Sequence, residues 1–171
     1  MSITEQNSWA GRKLTVTWRD ASFEPPRELI TQASGICYTD DGLIVLVTID
    51  GESWMLPGGH PNANESIEDT FRREVSEEAC ATVTDLVYMG SAEVDDPGNP
   101  QGLARNYSAR FWARVHLDKF RREYETTGRK TVKPSEINLS LKWHPHKVLD
   151  VILDAAKECE HKFRANRQEL R

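Results

Sequence analysis

Three glutamates close together in the sequence could hold a divalent cation. Glu74, Glu77 and Glu78 lie within residues 73–78, and on a helix that turns about 100° per residue their side chains share an arc of about 100°. Neighbouring like charges destabilise a helix by roughly 0.2 to 0.5 kcal/mol per pair, so this cluster invites a compensating cation. Carboxylate oxygens suit hard ions such as Mg²⁺ or Mn²⁺, whereas zinc would favour nearby cysteines or paired histidines, which the segment lacks.

The segment that carries these acids has the pattern of a packed helix. Helix-forming residues dominate residues 66–79, and Glu68 and Asp69 occupy the first turn, where the helix dipole favours acids. The apolar residues of the segment fall on one face: Phe71, Val75 and Ala79. The sequence therefore predicts a helix from about Ser66 to Ala79 that is fixed to the rest of the protein and presents the acids.

A turn with little side-chain bulk precedes the predicted helix. Pro57, Gly58 and Gly59 would let backbone groups approach a metal ion or a phosphate closely. Glu65 and Arg73 lie two helical turns apart if both are helical, so they could pair and brace the loop against the helix.

This stretch resembles the Nudix box, the signature of the Nudix hydrolases. The residues at matching positions and spacings are Gly59, Glu65, Arg73, Glu74, Val75, Glu77 and Glu78, and the lead-in of residues 54–59 is also similar to the family. One departure is clear, because Cys80 stands where the pattern has a glycine, with Ala81 as its small apolar successor. A non-glycine residue in the left-handed conformation that usually ends this helix costs about 1 kcal/mol. The departure therefore concerns the end of the helix and not the metal site.

The resemblance implies a hydrolase that uses Mg²⁺ or Mn²⁺ to cleave a phosphoanhydride bond in a nucleoside diphosphate linked to another group. The implied metal ligands are Gly59, through its carbonyl, Glu74, Glu77 and Glu78. The candidate catalytic residues are Glu74, Glu77, Arg73 and Glu136. Family members often recruit one more acid from a later loop, and Glu136 is that candidate, with Glu93, Asp95 and Asp96 as rivals. The candidate substrate-binding residues are Trp54, Gly58 and Arg110.

The box does not identify the substrate. By resemblance, a nucleotide sugar such as ADP-ribose and a (deoxy)nucleoside triphosphate are both open, and some ADP-ribose hydrolases have a proline spaced from the box much as Pro97 is from Ala81. A nucleotide-sensing Nudix domain without catalytic activity is the alternative. Arg110, Trp112 and Arg114 alternate along one strand, where they could contact substrate or form an outward face.

Length and composition predict one globular domain over residues 1–171, with residues 1–33 as a peripheral N-terminal arm. The chain has 38% hydrophobic and 29% charged residues, and its three cysteines have spacings unlike a disulfide framework or a zinc site. A net charge of −5 argues against duplex nucleic acid and against RNA ends as partners. The chain has no membrane-spanning apolar run, and its first residues are unlike a secretory signal. We expect a cytoplasmic protein whose partner is a small nucleotide, and a homodimer would be in keeping with the family.

The pattern of elements predicts an α/β/α sandwich of the Nudix type with a mixed β-sheet. We expect an edge strand at residues 13–18 and a hairpin of residues 35–39 and 43–49 around an Asp-Asp-Gly turn. Strands are expected at residues 82–90 and 105–116, followed by a mobile loop at residues 118–135. The last elements are a strand marked by Leu139, Leu141 and Trp143 and an amphipathic helix from Val148 to Phe163.

Overall fold

A computed structural model of the chain describes residues 2–141 and 147–169. The strands are β1 (Thr4–Trp9), β2 (Arg12–Asp20), β3 (Ile30–Tyr38), β4 (Ile44–Thr48), β5 (Gly58–Gly59), β6 (Ala81–Asp95), β7 (Arg105–Leu117) and β8 (Gly128–Val132). The helices are α1 (Ile67–Ala79), α2 (Ile137–Leu141) and α3 (Lys147–Glu169), with short 3-10 turns at Arg27–Leu29 and Pro134–Glu136. Among the described residues, no helix has the length and apolar character needed to cross a membrane.

One mixed β-sheet organises the fold, as predicted. Its strand order is β1-β2-β6-β7-β3-β4-β8, and β5 pairs with β3 outside this path. The pairing of β3 with β7 is parallel, and the other strand pairs are antiparallel. Helix α1 packs on one face and helices α2 and α3 on the other. The architecture is therefore the expected α/β/α sandwich.

The N-terminal residues extend the sheet by two strands. β2 was expected at the edge, but it lies inside the sheet because β1 pairs along it on one side and β6 on the other. Trp18 of β2 is only 3% exposed and belongs to the core on the α3 face. The edge prediction was wrong because β1, whose residues are mostly polar, gives little hydrophobic signal.

The predicted hairpin is present, but its strands separate almost at once. β3 and β4 pair only at Tyr38 and Ile44, and β5 takes the place beside β3 at Ala33 and Ser34. All five residues of β4 are buried, as expected for a central run that is apolar on both faces. Because β3 and β4 separate, the glycine turn lies beside β3 within the sheet.

The segment 118–135 is not one loop. Residues Gly128–Val132 form β8, which pairs along the whole of β4, and Pro134–Glu136 forms a 3-10 turn. β8 is an edge strand with mostly polar, half-exposed side chains, so the sequence carries no clear alternation there. Residues 118–127 have no regular secondary structure.

The strand expected around Leu139 and Leu141 is a short helix, α2, so that prediction was wrong. Ile137 and Leu141 are 2% and 3% exposed and share a helical face, whereas Leu139 is 81% exposed. The i, i+4 spacing of the two buried residues decided the structure. Trp143, the third marker, lies outside the described residues.

The expected helices at residues 66–79 and 148–163 correspond to α1 and α3. The buried residues of α3 are Val148, Leu149, Ile152, Ala156 and Glu160. The strands expected at 82–90 and 105–116 are also present, and β6 runs on to Asp95 with two register shifts against β7. The two long strands form the most extensive pairing in the sheet.

Candidate active site

Helix α1 is anchored at its start and along one face. Ser66 is its N-cap, with the hydroxyl accepting a hydrogen bond from the backbone N of Asp69 at 3.0 Å. Phe71, Val75 and Ala79 are 0% exposed and pack on the sheet. The glutamates on the other side of the helix therefore project from a fixed base.

The helix ends at Cys80 in the left-handed conformation, with φ 45° and ψ 55°. Cys80 thus does what the glycine of the box would do, despite its Cβ. Arg129 of β8 donates to the carbonyls of Ala79 at 2.6 Å and Cys80 at 3.0 Å. These bonds satisfy carbonyls that a helix end leaves free, so the departure from the box does not shorten the helix.

Arg73 is the centre of the carboxylate cluster. Its Nε and Nη2 donate to the two oxygens of Glu65 at 2.9 and 3.1 Å, so the predicted brace between loop and helix is present. Its Nη1 donates to Glu74 at 2.8 Å and to Glu77 at 3.1 Å, and Nη2 also reaches the carbonyl of His60 at 2.9 Å. One guanidinium group therefore positions three acids and the preceding turn.

The Arg73 contact changes the protonation of Glu65. The ion pair and the hydrogen bonds from Asn62 and Thr70 lower the pKa of Glu65 to about 2. The carboxylates of Glu65 and Glu74 raise the pKa of Arg73 above its ordinary value. Both groups therefore keep their charge at neutral pH.

The glycine turn lies directly against the acids. The backbone N of Gly58 donates to Glu78 Oε2 at 2.9 Å. A Cβ on Gly59 would lie 2.4 Å from the carboxyl carbon of Glu74, and a Cβ on Gly58 would lie 2.4 Å from the carbonyl oxygen of Ala33. Only glycine leaves room at these two positions.

Glu78 is a half-buried acid of the cluster. Burial raises the pKa of Glu78 to about 7 against the opposing hydrogen bond from Gly58, and the charges of Glu74, Glu125 and Glu77 add to the rise. Glu78 thus lies where negative charge is disfavoured without a cation, as expected of a metal ligand.

Glu125 is an acid of this site that the sequence did not single out. It is exposed in the segment 118–127, and its charge acts on Glu78. The next residue anchors the segment, because Thr126 Oγ1 donates to the carbonyl of Glu78 at 2.7 Å. Glu125 stands in a charged stretch beside Glu123, where spacing alone gave no signal.

Glu136 lies away from the cluster. It is exposed in the 3-10 turn after Val132, and Val132 pairs with Ile44. The acids of α1 face the Gly58–Gly59 turn. Gly58 pairs with Ser34 of β3, which lies four residues before Tyr38, and Tyr38 pairs with Ile44. Four strand residues span about 13 Å, so the register separates Glu136 from the acids.

The rival acids on β6 and after it are engaged in ion pairs with arginines. Glu93 pairs with Arg19 at 2.8 Å, Asp96 with Arg12 at 3.0 Å, and Asp95 with Arg105 at 3.8 Å. Each of these three acids therefore has an arginine beside it that offsets its charge.

The substrate-binding candidates lie in three different environments. Gly58 belongs to the turn, and Trp54 packs half-buried at the core of the α3 face with Lys130 Nζ 4.3 Å from its ring centre. Arg110 lies within the sheet, and its Nη1 donates to Ser34 Oγ.

One of the two sequence hypotheses made the face of β7 that carries Arg110 an outward face. That hypothesis was wrong. Trp112 and Arg114 are 1% and 3% exposed beneath α3. Glu160 of α3 accepts hydrogen bonds from both, which explains how Arg114 can be buried.

The donor set fits a hard cation, although the described residues contain no group of three His, Cys, Asp or Glu side chains already arranged around an ion site. The nearby donors are carboxylate and backbone oxygens. Gly59 leaves a space beside Glu74 that any Cβ would fill. Arg73 holds Glu74 and Glu77 close to that space.

Residues 29–165 match the model of the NUDIX domain. The chain therefore belongs to the Nudix family. No curated protein matches it in sequence.

Solved structures agree with this fold. The chain is similar to a mutant form of the Bacillus subtilis pyrophosphohydrolase BsRppH, with a TM-score of 0.66 and 22% identity over 84% of this chain and 92% of that one. A MutT structure from work on the Aliivibrio salmonicida and Vibrio cholerae proteins has a TM-score of 0.54 and 18% identity over 76% and 98%. An ADP-ribose pyrophosphatase from Streptococcus suis has a TM-score of 0.50 and 21% identity over 73% of this chain and 90% of that one.

Proposed function

We propose that this Nudix protein is a divalent-metal-dependent pyrophosphohydrolase that cleaves a phosphoanhydride bond in a nucleoside diphosphate linked to another group. The observation that carries the proposal is the close fit of α1 to the glycine turn. Glu78 bonds Gly58, Glu74 fills the space left by Gly59, and Arg73 holds Glu74 and Glu77. A purely structural acidic helix would have no need of this fit.

In the proposed site, Glu74, Glu77, Glu78 and the carbonyl of Gly59 hold Mg²⁺ or Mn²⁺. The bound ions would neutralise the diphosphate and make a water molecule more acidic. Arg73 does not need to touch the substrate, because its bonds to Glu65, Glu74 and Glu77 make it a positioning residue.

A further acid is proposed from the segment 118–127 and not from the 3-10 turn. Glu125 acts on Glu78 electrostatically and is held near it by the Thr126 anchor. It is exposed, and among the described residues no arginine forms an ion pair with it, unlike Glu93 and Asp96. Glu125 is therefore a better candidate than Glu136 for accepting the proton of the attacking water or completing the ion site.

Substrate and product analysis tests the proposal directly. The protein is incubated with Mg²⁺ or Mn²⁺ and a panel of nucleoside triphosphates, nucleotide sugars including ADP-ribose, and dinucleoside polyphosphates, and products are separated to identify the bond cut. We expect metal-dependent cleavage within the phosphate chain of at least one class. Nucleotide binding without turnover across the panel at high protein concentration would instead indicate a sensing domain and contradict the proposal.

A matched pair of variants connects any activity to the proposed acid. Glu125→Gln should lower kcat by about 10-fold or more, and the neighbouring Glu123→Gln should leave it within about two-fold, because general acid-base groups contribute typically 10²- to 10⁴-fold. Equal activities of both variants would exclude Glu125, and a loss with Glu136→Gln would restore the earlier candidate.

A further inference from the structure

Arg110 is a half-buried cation that has no acid beside it among the described residues. In the sheet register it lies between Ser34 of β3 and Gly90 of β6. Its Nε is shut off from solvent and has no hydrogen-bond partner, and Nη1 donates to the neutral hydroxyl of Ser34. Burial lowers the pKa of Arg110 to about 10, so the group is still charged at neutral pH. Burying an unpaired charge is costly, and proteins normally avoid it.

No carboxylate among residues 2–141 and 147–169 forms an ion pair with Arg110. The arginines of β7 that do form ion pairs are Arg105 and Arg114. The remaining residues are Met1, 142–146 and 170–171, and their sequence contains no aspartate or glutamate. The anion that would satisfy Arg110 must therefore come from outside the side chains of the chain.

Arg114 shows how the same strand treats a structural arginine. Arg114 lies four residues after Arg110 on the same face of the strand β7, and it is 3% exposed. Glu160 of α3 accepts two hydrogen bonds from its Nη2, at 2.7 and 2.6 Å. The fold thus supplies an acid for one buried arginine and leaves the other, which keeps part of its surface exposed, without one.

Arg110 is linked to the proposed metal site through Ser34 and Gly58, but it is not part of that site. Ser34, its hydrogen-bond partner, packs against Gly58, where a Cβ would lie 2.2 Å from the Ser34 Cβ. The N–H of Gly58 is bound by Glu78. Since Ser34 Oγ accepts from Arg110, its own proton is free to be donated. Ser34 therefore lies one strand, and Arg110 two strands, from the Gly58 turn that Glu78 contacts.

We propose that Arg110 and Ser34 bind an anionic group of the substrate that lies outside the two phosphates bridged at α1. This inference rests on the proposed hydrolase function. The ligand chemistry is a third phosphate in a continuous polyphosphate chain. The site therefore favours substrates with a triphosphate over nucleoside diphosphate sugars, whose distal group is neutral.

Steady-state kinetics with two substrates tests the preference. Wild type, Arg110→Met, Arg110→Lys and the control Arg105→Met, an exposed arginine of the same strand, are compared on a nucleoside triphosphate and on ADP-ribose with Mg²⁺. We expect Arg110→Met to lower kcat/KM for the triphosphate by roughly 10- to 100-fold, as for one charge-assisted hydrogen bond, and for ADP-ribose by less than about three-fold. Arg110→Lys should recover part of the loss, and Arg105→Met should match wild type on both substrates. An equal loss on both substrates, or none on either, overturns the triphosphate subsite.

Ligand-induced thermal stabilisation gives a readout that does not require turnover. With Mg²⁺ present, inorganic tripolyphosphate should raise the Tm of wild type more than pyrophosphate does, and this difference should vanish in Arg110→Met. The Tm of unliganded Arg110→Met should be no lower than that of wild type, because an unpaired buried charge is removed. Equal shifts by both ligands in wild type overturn the subsite. If the difference is present but no nucleotide is hydrolysed, the subsite stands and the hydrolase function fails.

Discussion

Gly59 and Glu74 fit together only because Gly59 has no side chain: a Cβ there would lie 2.4 Å from the carboxyl carbon of Glu74. The obstructing group is the end of a flexible side chain, which can move away. At Gly58 the obstruction is different, because a Cβ would meet the carbonyl oxygen of Ala33 and the backbone of Ser34 at 2.4 Å. Two adjacent glycines are thus required for different reasons.

Gly59→Ala should therefore reduce activity much more than stability. We expect kcat to fall by about 10²-fold or more, the scale of one lost electrostatic contact in the transition state, because Glu74 must leave its position. The Tm should fall by only a few degrees, as for a change of about 1 kcal/mol. Gly58→Ala is the matched variant, and it should lower the Tm further because backbone must shift. The same Tm for both variants would contradict this distinction.

Glu77→Gln and Glu78→Gln should each lower kcat by at least about 10²-fold without unfolding the protein. The amide replaces a carboxylate that would bind the ion, so calorimetry should also show weaker Mn²⁺ binding in the presence of nucleotide. Glu68→Gln, an exposed acid in the first turn of the same helix, should bind Mn²⁺ and turn over substrate like wild type. Full activity of both site variants would refute the assignment of the metal ligands.

Removal of the Glu65 charge should make the Tm less sensitive to a fall in pH. The folded pKa of Glu65 is lowered to about 2 from its ordinary value of 4.5. Its stabilising contribution is therefore complete above pH 4.5 and disappears as the pH falls towards 2. At pH 7, Glu65→Gln should have a Tm a few degrees below that of wild type, and the gap should close in this acidic range. A gap that is constant with pH would contradict the role of the Arg73 pair.

Cys80→Gly should stabilise the protein. The substitution removes the strain of a Cβ at φ 45°, which costs about 1 kcal/mol or more, while losing the Sγ contacts to the backbone of Arg121 at 3.4 and 3.5 Å. We expect a net gain of about 0.5 to 1 kcal/mol in the free energy of unfolding in urea. Cys80→Ala keeps the strain and loses the sulfur contacts, so it should be no more stable than wild type. If the alanine variant is as stable as the glycine variant, strain is not the cause.

Glu160→Gln should be one of the most destabilising single changes away from the active site. It weakens the contacts of Glu160 with Arg114, Arg164 and the indole of Trp112, and it leaves the Arg114 charge buried. Breaking one partner of such a pair costs about 3 to 5 kcal/mol. Urea unfolding of Glu160→Gln, Arg114→Met and the double variant measures the coupling. The double variant should recover part of the loss, and strictly additive losses would contradict a direct ion pair.

The sequence was most informative where local spacing and chemistry agree. The spacing of Glu74, Glu77 and Glu78 with the apolar stripe predicted α1 to within one residue at its start. β8 and Glu125 were missed because an exposed edge strand and an acid in a charged stretch have no periodic signature. The contacts of Arg110 and Arg114 depend on β3 and α3, which are distant in sequence, so no local pattern could separate a free arginine from a paired one.

The parallel pairing of β3 with β7 has a consequence for biosynthesis. Ile36 and its pairing partner Trp112 are separated by most of the domain, and α1 packs on the sheet that these two strands centre. A chain emerging from the ribosome therefore exposes α1 before β7, which supplies Phe111 to stack on Phe71, has been synthesised. Contacts between distant segments form slowly because loop closure must come first. Until β7 is synthesised, the part of the buried face of α1 around Phe71 remains open to chaperones and to aggregation.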